Sequence, residues 1–523
     1  MTRRPGSVGT AALPRGAAAR AVLLGGLALA LALLVAWAFF PLSTLLDYIP
    51  DDSYYYFQPA AMMAEGYVPS FDGVNAGNGF NPLWMLLLWP LFKLKAVAVD
   101  LPVHLALALG GAFFVLTGYM IYRLLRLFEV DEWFSVYAAV TFPLWPSAIT
   151  TAVDGEVTPV NIFVLSVLVY YYAKLMKAGV TPSRRAFIGL GLLAGLAILG
   201  RLENVGLLAL LAAHYVTRRR PENKAAAGAL MAASAAVLVV PWLAWSYSFS
   251  GSVFPTSGWA VPLMTRASVY PDAPGPWGGV VTTFRRLISD TGFLTFYSPG
   301  KYVIFAIYPA VLILGRRRLP RDAALDVLAL LLTFVISLYV LNSGVRRYLR
   351  LWHLGTAFFV NQLFLWTCLA LLARRTWRRW LPHAAAVASV AFFVVDGWWT
   401  AGHPLYAHQR VMYEGAAWAR AHPGVKVGAF NAGILAYYGG GNVVDLDGNM
   451  NNAAYEAVKA RRVYDYAKKE GVVYIIDFER SAVDYYAPFW PPPVADKLEV
   501  YSRALDIAPY ARAGKHYYIY RLR

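Results

Sequence analysis

The chain has 523 residues, of which 59% are hydrophobic and only 15% are charged. This composition excludes an ordinary soluble globule and is typical of a polytopic membrane protein. The formal net charge of +17 would be typical of a nucleic-acid-binding protein, so the positions of the basic residues along the chain have to be considered first. The single cysteine, Cys368, excludes an intramolecular disulfide and a CxxC metal site.

The first predicted element is an uncharged run over residues 21–46, which follows four arginines near the N-terminus. A secretory signal has a shorter apolar region that ends in a small-residue cleavage site, and neither feature is present. Because about 20 apolar residues cross the hydrocarbon of a bilayer, this run predicts a retained first membrane helix.

Ten further apolar runs predict an α-helical polytopic membrane region over residues 1–400, with about eleven transmembrane helices in all. These runs cover approximately residues 101–122, 133–152, 157–173, 186–200, 202–217, 225–246, 302–315, 323–341, 351–373 and 382–400.

The basic residues predict the orientation of these helices. With a cytoplasmic N-terminus, 22 of the 32 lysines and arginines before residue 400 fall on the cytoplasmic side. The positive-inside rule therefore predicts a multi-pass plasma-membrane protein whose C-terminus is extracytoplasmic. The excess positive charge is explained as a topology signal, so no nucleic-acid partner is expected.

Two apolar stretches depart from this pattern. Residues 81–92 are apolar but too short to cross a bilayer, so we place them along the membrane surface, within a long first outer loop over residues 47–100. The sequence GRLEN (200–204) interrupts the pair of runs at 186–217 and predicts a turn in the outer half of the membrane. Arg201 and Glu203 would then lie near membrane depth, where ionisable groups are costly and usually functional.

The composition changes after Thr400. Short β-type runs at 425–430, 442–447 and 472–478 alternate with helical patterns near 409–421 and 452–469. This alternation predicts a small extracytoplasmic α/β domain over residues 401–523.

Two acidic pairs lie on predicted outer turns. Asp51 and Asp52 follow the first membrane run, and Asp154 and Glu156 fall on the next outer turn. One interpretation is a charged end that marks the membrane boundary. Carboxylates at the C-terminal end of a helix oppose its dipole, however, and the loop 71–84 is rich in Gly, Asn and aromatic residues that suit a sugar. We therefore favour a functional role.

Several motifs in chain order resemble the glycosyltransferase C superfamily, whose members are polytopic enzymes that use polyprenyl-phosphate sugars. The motifs are DDSYYY, AEGY, GNGFNPLW, an outer GE at the head of a span, and LAILGRLEN, all within the first 210 or so residues. The resemblance is weaker in two later motifs, FPTSGWA (254–260) and RRYLRLW (346–352). Residues 427–452 are similar to the outer soluble domain of one branch. Several branches carry Asp-Glu where this chain has Asp-Asp, which leaves the branch open.

The resemblance implies a hexosyl or pentosyl transfer from a polyprenyl-phosphate donor to a glycan, lipid or protein acceptor, by inverting displacement at the anomeric carbon. It implies that Asp51 is the general base, with Asp52 a close second. Whichever aspartate acts must lie within hydrogen-bond reach of the proton that it removes. Arg201 is the first candidate to hold the leaving phosphate. Residues i and i+2 of a continuous helix do not face each other, so a local pair with Glu203 is not expected.

Further residues are predicted to contact substrate or a metal. Asp154 and Glu156 could hold Mg²⁺ or Mn²⁺, although a monophosphate leaving group does not require a metal, and no other cofactor is expected. Anionic lipid headgroups explain the cluster at 346–348 equally well, and an aromatic belt explains the tyrosines at 54–56 at least as well as stacking on a sugar. The predicted substrate-binding residues are Asp154, Glu156, Arg201, Glu203, Asn78, Trp84, Arg346, Arg347 and Tyr348.

Two other interpretations of the sequence compete with these predictions. The run 445–456 has acids at the spacing of a calcium-binding EF-hand loop, but Met450 replaces the required glycine and a strand precedes it, so an Asx turn is predicted. A transporter or lipid flippase is the main alternative function. Such a protein would place its charges at the bilayer midplane in repeat-related broken helices, whereas these acids cluster at one face.

Overall fold

The computed structural model describes most of the chain. The described residues are 13–144, 151–179, 182–219, 224–269, 278–279, 281, 300–346, 353, 355–374, 376–490, 496–502 and 516–523.

The described part of residues 13–402 is almost entirely helical. Short 3₁₀ turns follow α4 and α8 at Lys93–Ala96 and Leu202–Asn204, and π-helical turns flank α13 at Arg321–Leu325 and Leu341–Val345. The helices are α1 Ala17–Ala38, α2 Leu42–Leu45, α3 Asp51–Ala64, α4 Pro82–Phe92, α5 Leu101–Leu127, α6 Glu132–Thr141, α7 Thr158–Ala178, α8 Arg184–Gly200, α9 Val205–Arg219, α10 Lys224–Ser250, α11 Ser257–Ser268, α12 Gly300–Gly315, α13 Asp326–Val340, α14 Gly355–Leu372 and α15 Leu381–Gly402.

Among the described residues, seven helices are long and apolar enough to cross a membrane: α1, α5, α7, α10, α13 with its flanking turns, α14 and α15. Four other predicted spans coincide with α6, α8, α9 and α12, which have 10, 17, 15 and 16 residues. These four are shorter than a typical span. The total of eleven therefore stays a prediction. Helix α4, with 11 residues, is too short to cross.

The first membrane helix ends earlier than predicted. Helix α1 stops at Ala38, and Pro41, which lacks a backbone N–H, starts a new turn. Asp51 and Asp52 lie in the first turn of a separate helix, α3. The argument that these carboxylates oppose a helix dipole was therefore wrong, because acids at the N-terminus of a helix are favoured by the dipole.

The predicted break at GRLEN is present. Helix α8 ends at Gly200, Arg201 is extended (φ −157°, ψ 128°), and α9 begins at Val205. The side chain of Asn204 closes the break, because its amide donates to Asn161 Oδ1 at 2.7 Å and to the Ala197 carbonyl at 2.8 Å. These buried amides satisfy each other inside the helix bundle.

Residues 403–523, the C-terminal segment, contain a five-stranded mixed sheet. Its order is β2-β1-β3-β5-β4, with β1 parallel to β2 and β3, and β5 antiparallel to β3 and β4. The predicted strands and helices are found, whereas α17, β4 and β5 had not been predicted. The elements are α16 Arg410–Ala421, β1 Lys426–Ala429, α17 Gly433–Gly439, β2 Val443–Asp445, α18 Asn452–Lys459, α19 Val463–Lys469, β3 Val472–Phe478, β4 Leu498–Ser502 and β5 Tyr517–Leu522.

The sheet packs on two hydrophobic cores. Val427 and Ile434 belong to the large core that continues into the helices of the N-terminal part. Phe430, Val444 and Ile475 belong to a second core together with α11. Because one core continues across residue 400, the division of the chain into domains at 400/401 stays a prediction.

Candidate functional site

The turn that carries the second acidic pair is held against α3 and α4. The Ser53 hydroxyl donates to the Asp154 carbonyl at 2.5 Å, and the Trp84 indole donates to the Gly155 carbonyl at 2.7 Å. Gly155 has φ +82°, and a Cβ there would lie 2.6 Å from the ring of Phe57. Only glycine fits both the backbone conformation and this space. The two acidic motifs, about 100 residues apart in sequence, therefore lie side by side.

Asp154 and Glu156 are both buried. The Glu156 amide donates to Asp154 Oδ1 at 2.8 Å, and burial raises the pKa of Asp154 to about 8. Burial also raises the pKa of Glu156 well above its usual range. The carboxylates of Asp154 and Asp52 raise the Glu156 pKa further, and the Arg201 guanidinium lowers it. The charges of Asp52 and Arg201 therefore act on Glu156, and a shared site for these groups stays a prediction.

The two adjacent aspartates differ in their surroundings. The Asp51 carboxylate accepts from the Ile434 amide at 2.6 Å and from the Gly433 amide at 3.3 Å, at the start of α17. Burial, more than its neighbour Asp52, raises the pKa of Asp51 to about 7. Asp52 is exposed. Sequence reasoning missed this contact, because it had not predicted α17.

Arg201 and Glu203 form the local ion pair that was not expected. Nε and one terminal nitrogen of Arg201 donate to Glu203 Oε1 at 3.0 and 2.8 Å. The prediction was wrong because it assumed a continuous helix. Since Arg201 is extended, its side chain can turn back to a residue two positions on.

The second cationic cluster is described only in part. Arg346 lies 3.8 Å from Glu203 Oε1 and donates to Asn342 Oδ1 at 3.1 Å. The buried Glu203 side chain therefore lies between the guanidinium groups of Arg201 and Arg346. The other two predicted residues of the cluster, Arg347 and Tyr348, lie outside the described residues.

Two predicted substrate contacts are structural instead. Trp84 is 0% exposed, and its indole supports the turn of the second acidic pair, so its ring cannot stack on a sugar. Asn78 is also 0% exposed, and its amide donates to Ser246 Oγ and to the carbonyls of Ser252 and Phe254. Buried glycine-rich loops need such side-chain partners for their backbone groups.

The three tyrosines at 54–56 do not form an exposed belt. Tyr54 and Tyr56 are buried, and the Tyr56 hydroxyl accepts from the Asn81 amide at 2.7 Å. The Tyr55 hydroxyl donates to the Phe430 carbonyl at 3.0 Å. They join α3 to its neighbours, which is a packing role.

The Asx-turn interpretation of residues 445–449 is confirmed. Asp445 accepts from the amides of Asp447 and Met450, and Asp447 accepts from the Asn449 amide at 2.6 Å. Within the described ranges, no three His, Cys, Asp or Glu side chains form a group that could hold a metal ion. Binding of Mg²⁺ or Mn²⁺ by Asp154 and Glu156 stays one of two open alternatives, the other being transfer without a metal.

A family model described as a domain of unknown function, DUF8728, matches residues 403–520. No curated protein sequence matches the chain.

Solved structures share the architecture of nearly the whole chain. ArnT from Cupriavidus metallidurans bound to undecaprenyl phosphate has a TM-score of 0.58 and 16% identity, over 95% of this chain and 98% of that one. The archaeal oligosaccharyltransferase AglB from Archaeoglobus fulgidus, in complex with an inhibitory peptide and a dolichol-phosphate, has a TM-score of 0.54 and 13% identity, over 92% and 73%. The Archaeoglobus fulgidus oligosaccharyltransferase complex with Zn and sulfate gives 0.54 and 14%, over 92% and 72%.

At such low identity the likeness concerns the fold and not the activity. The chain therefore shares the fold of these solved structures.

Proposed function

We propose that the chain is an integral membrane glycosyltransferase that moves a sugar from a polyprenyl-phosphate donor to a glycan, lipid or protein acceptor. The observation that carries this proposal is that the turn of Asp154 and Glu156 is hydrogen-bonded to Ser53 of α3, next to Asp51 and Asp52, although the two acidic pairs are about 100 residues apart in sequence. The fold adds support, because it is shared with proteins crystallised with undecaprenyl phosphate and with dolichol-phosphate.

Asp52 is the general base in this proposal, in preference to Asp51. The Asp51 carboxylate is already engaged by two backbone amides, whereas Asp52 is exposed beside the buried acids. A base must be able to reach the proton that it removes. The sequence-based preference for Asp51 is therefore replaced.

The reaction is one displacement. The acceptor hydroxyl oxygen attacks the anomeric carbon, its proton passes to Asp52, and the bond from that carbon to the phosphate oxygen breaks. The electron pair leaves with the polyprenyl phosphate, whose charge is stabilised by Arg201 and Arg346. Guanidinium groups suit this role because they donate two hydrogen bonds to phosphate oxygens.

The orientation of the site is also part of the proposal. The site lies where α1 ends and where α5 and α7 begin, and the C-terminal segment contacts the same end through the bond from Tyr438 to Asp100 at 2.9 Å. Basic residues lie in the last turns of α5, α7 and α9, namely Arg126, Lys177, Arg218 and Arg219. The positive-inside rule therefore supports an extracytoplasmic site.

The test is a transfer assay on the purified full-length protein with a panel of polyprenyl-phosphate sugars. We expect Asp52→Asn to lower kcat by about 100-fold or more, which is the usual contribution of a general base. Asp51→Asn should lower kcat far less. Asp465→Asn, which changes an exposed acid on α19, is the matched control and should behave as wild type.

Comparison of the loss of kcat in Asp51→Asn and in Asp52→Asn decides which aspartate is the base. If Asp51→Asn loses activity as completely as Asp52→Asn is expected to, while Asp52→Asn stays active, the base is Asp51. If no donor is consumed by the wild type while substrate is moved across vesicles, the transporter alternative replaces the enzyme.

A further inference from the structure

The stretch of chain that leads into Asp52 is held by the C-terminal segment. We name residues 46–52 the acid turn. Gln409, which is 2% exposed, accepts from the Asp51 amide at 2.5 Å through its Oε1. Its Nε2 donates to the carbonyls of Leu46 and Ile49 at 3.0 and 2.6 Å. One buried side chain therefore satisfies three backbone groups of the acid turn.

Two further contacts hold the same turn from either side. Arg410 makes a two-pronged ion pair with Asp47, with distances of 2.8 and 2.5 Å. At the other end, the amides of Gly433 and Ile434 donate to the Asp51 carboxylate. Paired, charge-assisted hydrogen bonds of this kind restrict orientation as well as distance.

The packing at this junction leaves little room for movement. A Cβ on Gly433 would lie 2.4 Å from the Asp51 carbonyl oxygen and 2.8 Å from its Oδ1. The backbone of α17 therefore touches the backbone of the acid turn directly. A rigid support is what a positioned base requires, since a displacement of about 1 Å can cost about 100-fold in rate.

We propose that the C-terminal segment positions the catalytic base, with Gln409 as the principal positioning residue and the Gly433–Ile434 amides as the second support. This inference rests on the proposed function and deepens it. It differs from a role in binding the acceptor, because these contacts are made to the acid turn itself.

The first test is the kinetics of Gln409→Met, which keeps the side-chain length and removes all three hydrogen bonds. We expect kcat per folded molecule to fall at least about tenfold while the KM for donor and for acceptor stays unchanged. The matched control is Gln362→Met. Gln362 is 3% exposed and donates to the Ala138 carbonyl and Thr141 Oγ1, away from the acid turn, and its loss should leave kcat unchanged.

The second test does not depend on activity. In a Cys368→Ala background, Asp52→Cys places a single thiol on the acid turn, and its rate of modification by a maleimide reports the exposure and mobility of that turn. We expect Gln409→Met to change this rate at least about fivefold, because the turn loses its buried support. Gln362→Met should leave the rate unchanged. Arg410→Met, which removes the ion pair to Asp47, serves as the second variant if Gln409→Met does not fold.

The outcomes separate the two proposals. A wild type that transfers sugar, together with a Gln409→Met variant whose kcat and thiol reactivity are unchanged, overturns the positioning role and leaves the enzyme. A raised acceptor KM with unchanged kcat also overturns it, because the segment would then bind the acceptor. If thiol reactivity changes while the wild type transfers no sugar, the positioning contact stands and the proposed function fails.

Discussion

A methyl group added at Gly433 should separate the acid turn from α17. The Cβ of Gly433→Ala would lie 2.4 Å from the Asp51 carbonyl oxygen and 3.0 Å from the Tyr54 Cβ, whereas ordinary contacts begin near 3.4 Å. The backbone of the acid turn must therefore move by about 1 Å or α17 must retreat by the same amount. Because both contacts are to backbone or to Cβ atoms, no flexible side chain can absorb this movement.

This overpacking should cost about 1–3 kcal/mol of unfolding free energy. The displacement of Asp52 by about 1 Å should lower kcat by about 100-fold. The assay is sugar transfer in detergent, with the folded fraction measured by size-exclusion chromatography and thermal unfolding. Gly424→Ala is the matched control in the same segment, since nothing lies within 4 Å of its added Cβ, and it should retain wild-type stability and rate.

A Gly433→Ala enzyme with wild-type kcat and wild-type melting temperature would refute this reasoning. It would mean that α17 does not touch the acid turn in the working protein. A variant that is destabilised but keeps its kcat per folded molecule would show that the contact is structural only.

Three further predictions concern charge. Arg201→Lys should raise the donor KM at least about tenfold, because a two-pronged hydrogen bond to a charged group contributes about 1.5 kcal/mol or more. The melting temperature should fall as the pH rises from about 4 to about 8, because the pKa of Asp154 is about 8 in the folded protein against an ordinary 3.8. Over this range the unfolded chain binds fewer protons than the folded protein, so a rising pH favours unfolding. The Asp154→Asn variant should show a smaller decline in melting temperature. Transfer should continue in EDTA, because a monophosphate leaving group needs no metal when guanidinium groups meet its charge.

Each of these predictions has a contrary result. An unchanged donor KM in Arg201→Lys would show that the Arg201 guanidinium does not bind the donor phosphate. Arg266→Lys, at an exposed arginine of α11, is the control. A melting profile in Asp154→Asn with the same slope as wild type would mean that Asp154 is not buried. Loss of transfer in EDTA that is restored by Mg²⁺ or Mn²⁺ would assign a metal to Asp154 and Glu156.

Much of the architecture could be predicted from local pattern. Long apolar runs predicted the helices, because a backbone in a bilayer must satisfy its own hydrogen bonds. The break at Gly200 was visible because GRLEN places polar residues inside an apolar stretch. The Asx turn after β2 was predictable because Asp and Asn bond to amides two residues on.

Contacts between distant segments could not be predicted in this way. The pair of Arg201 with Glu203 depended on the extended backbone at Arg201, which helical spacing rules do not include. Trp84 and Asn78 carried the composition of a sugar site, yet tertiary packing buries both.

The sequence by itself determined that the chain is an apolar helical protein, which motifs carry acids and arginines, and where its helices break, because composition and short-range spacing are local properties. Only the tertiary structure decided how those groups are used. It placed Asp51 against the amides of α17 and left Asp52 exposed, and it made Gln409 a partner of a turn about 360 residues earlier. The physical reason is that burial and hydrogen-bond partners depend on what the folded chain brings alongside each residue.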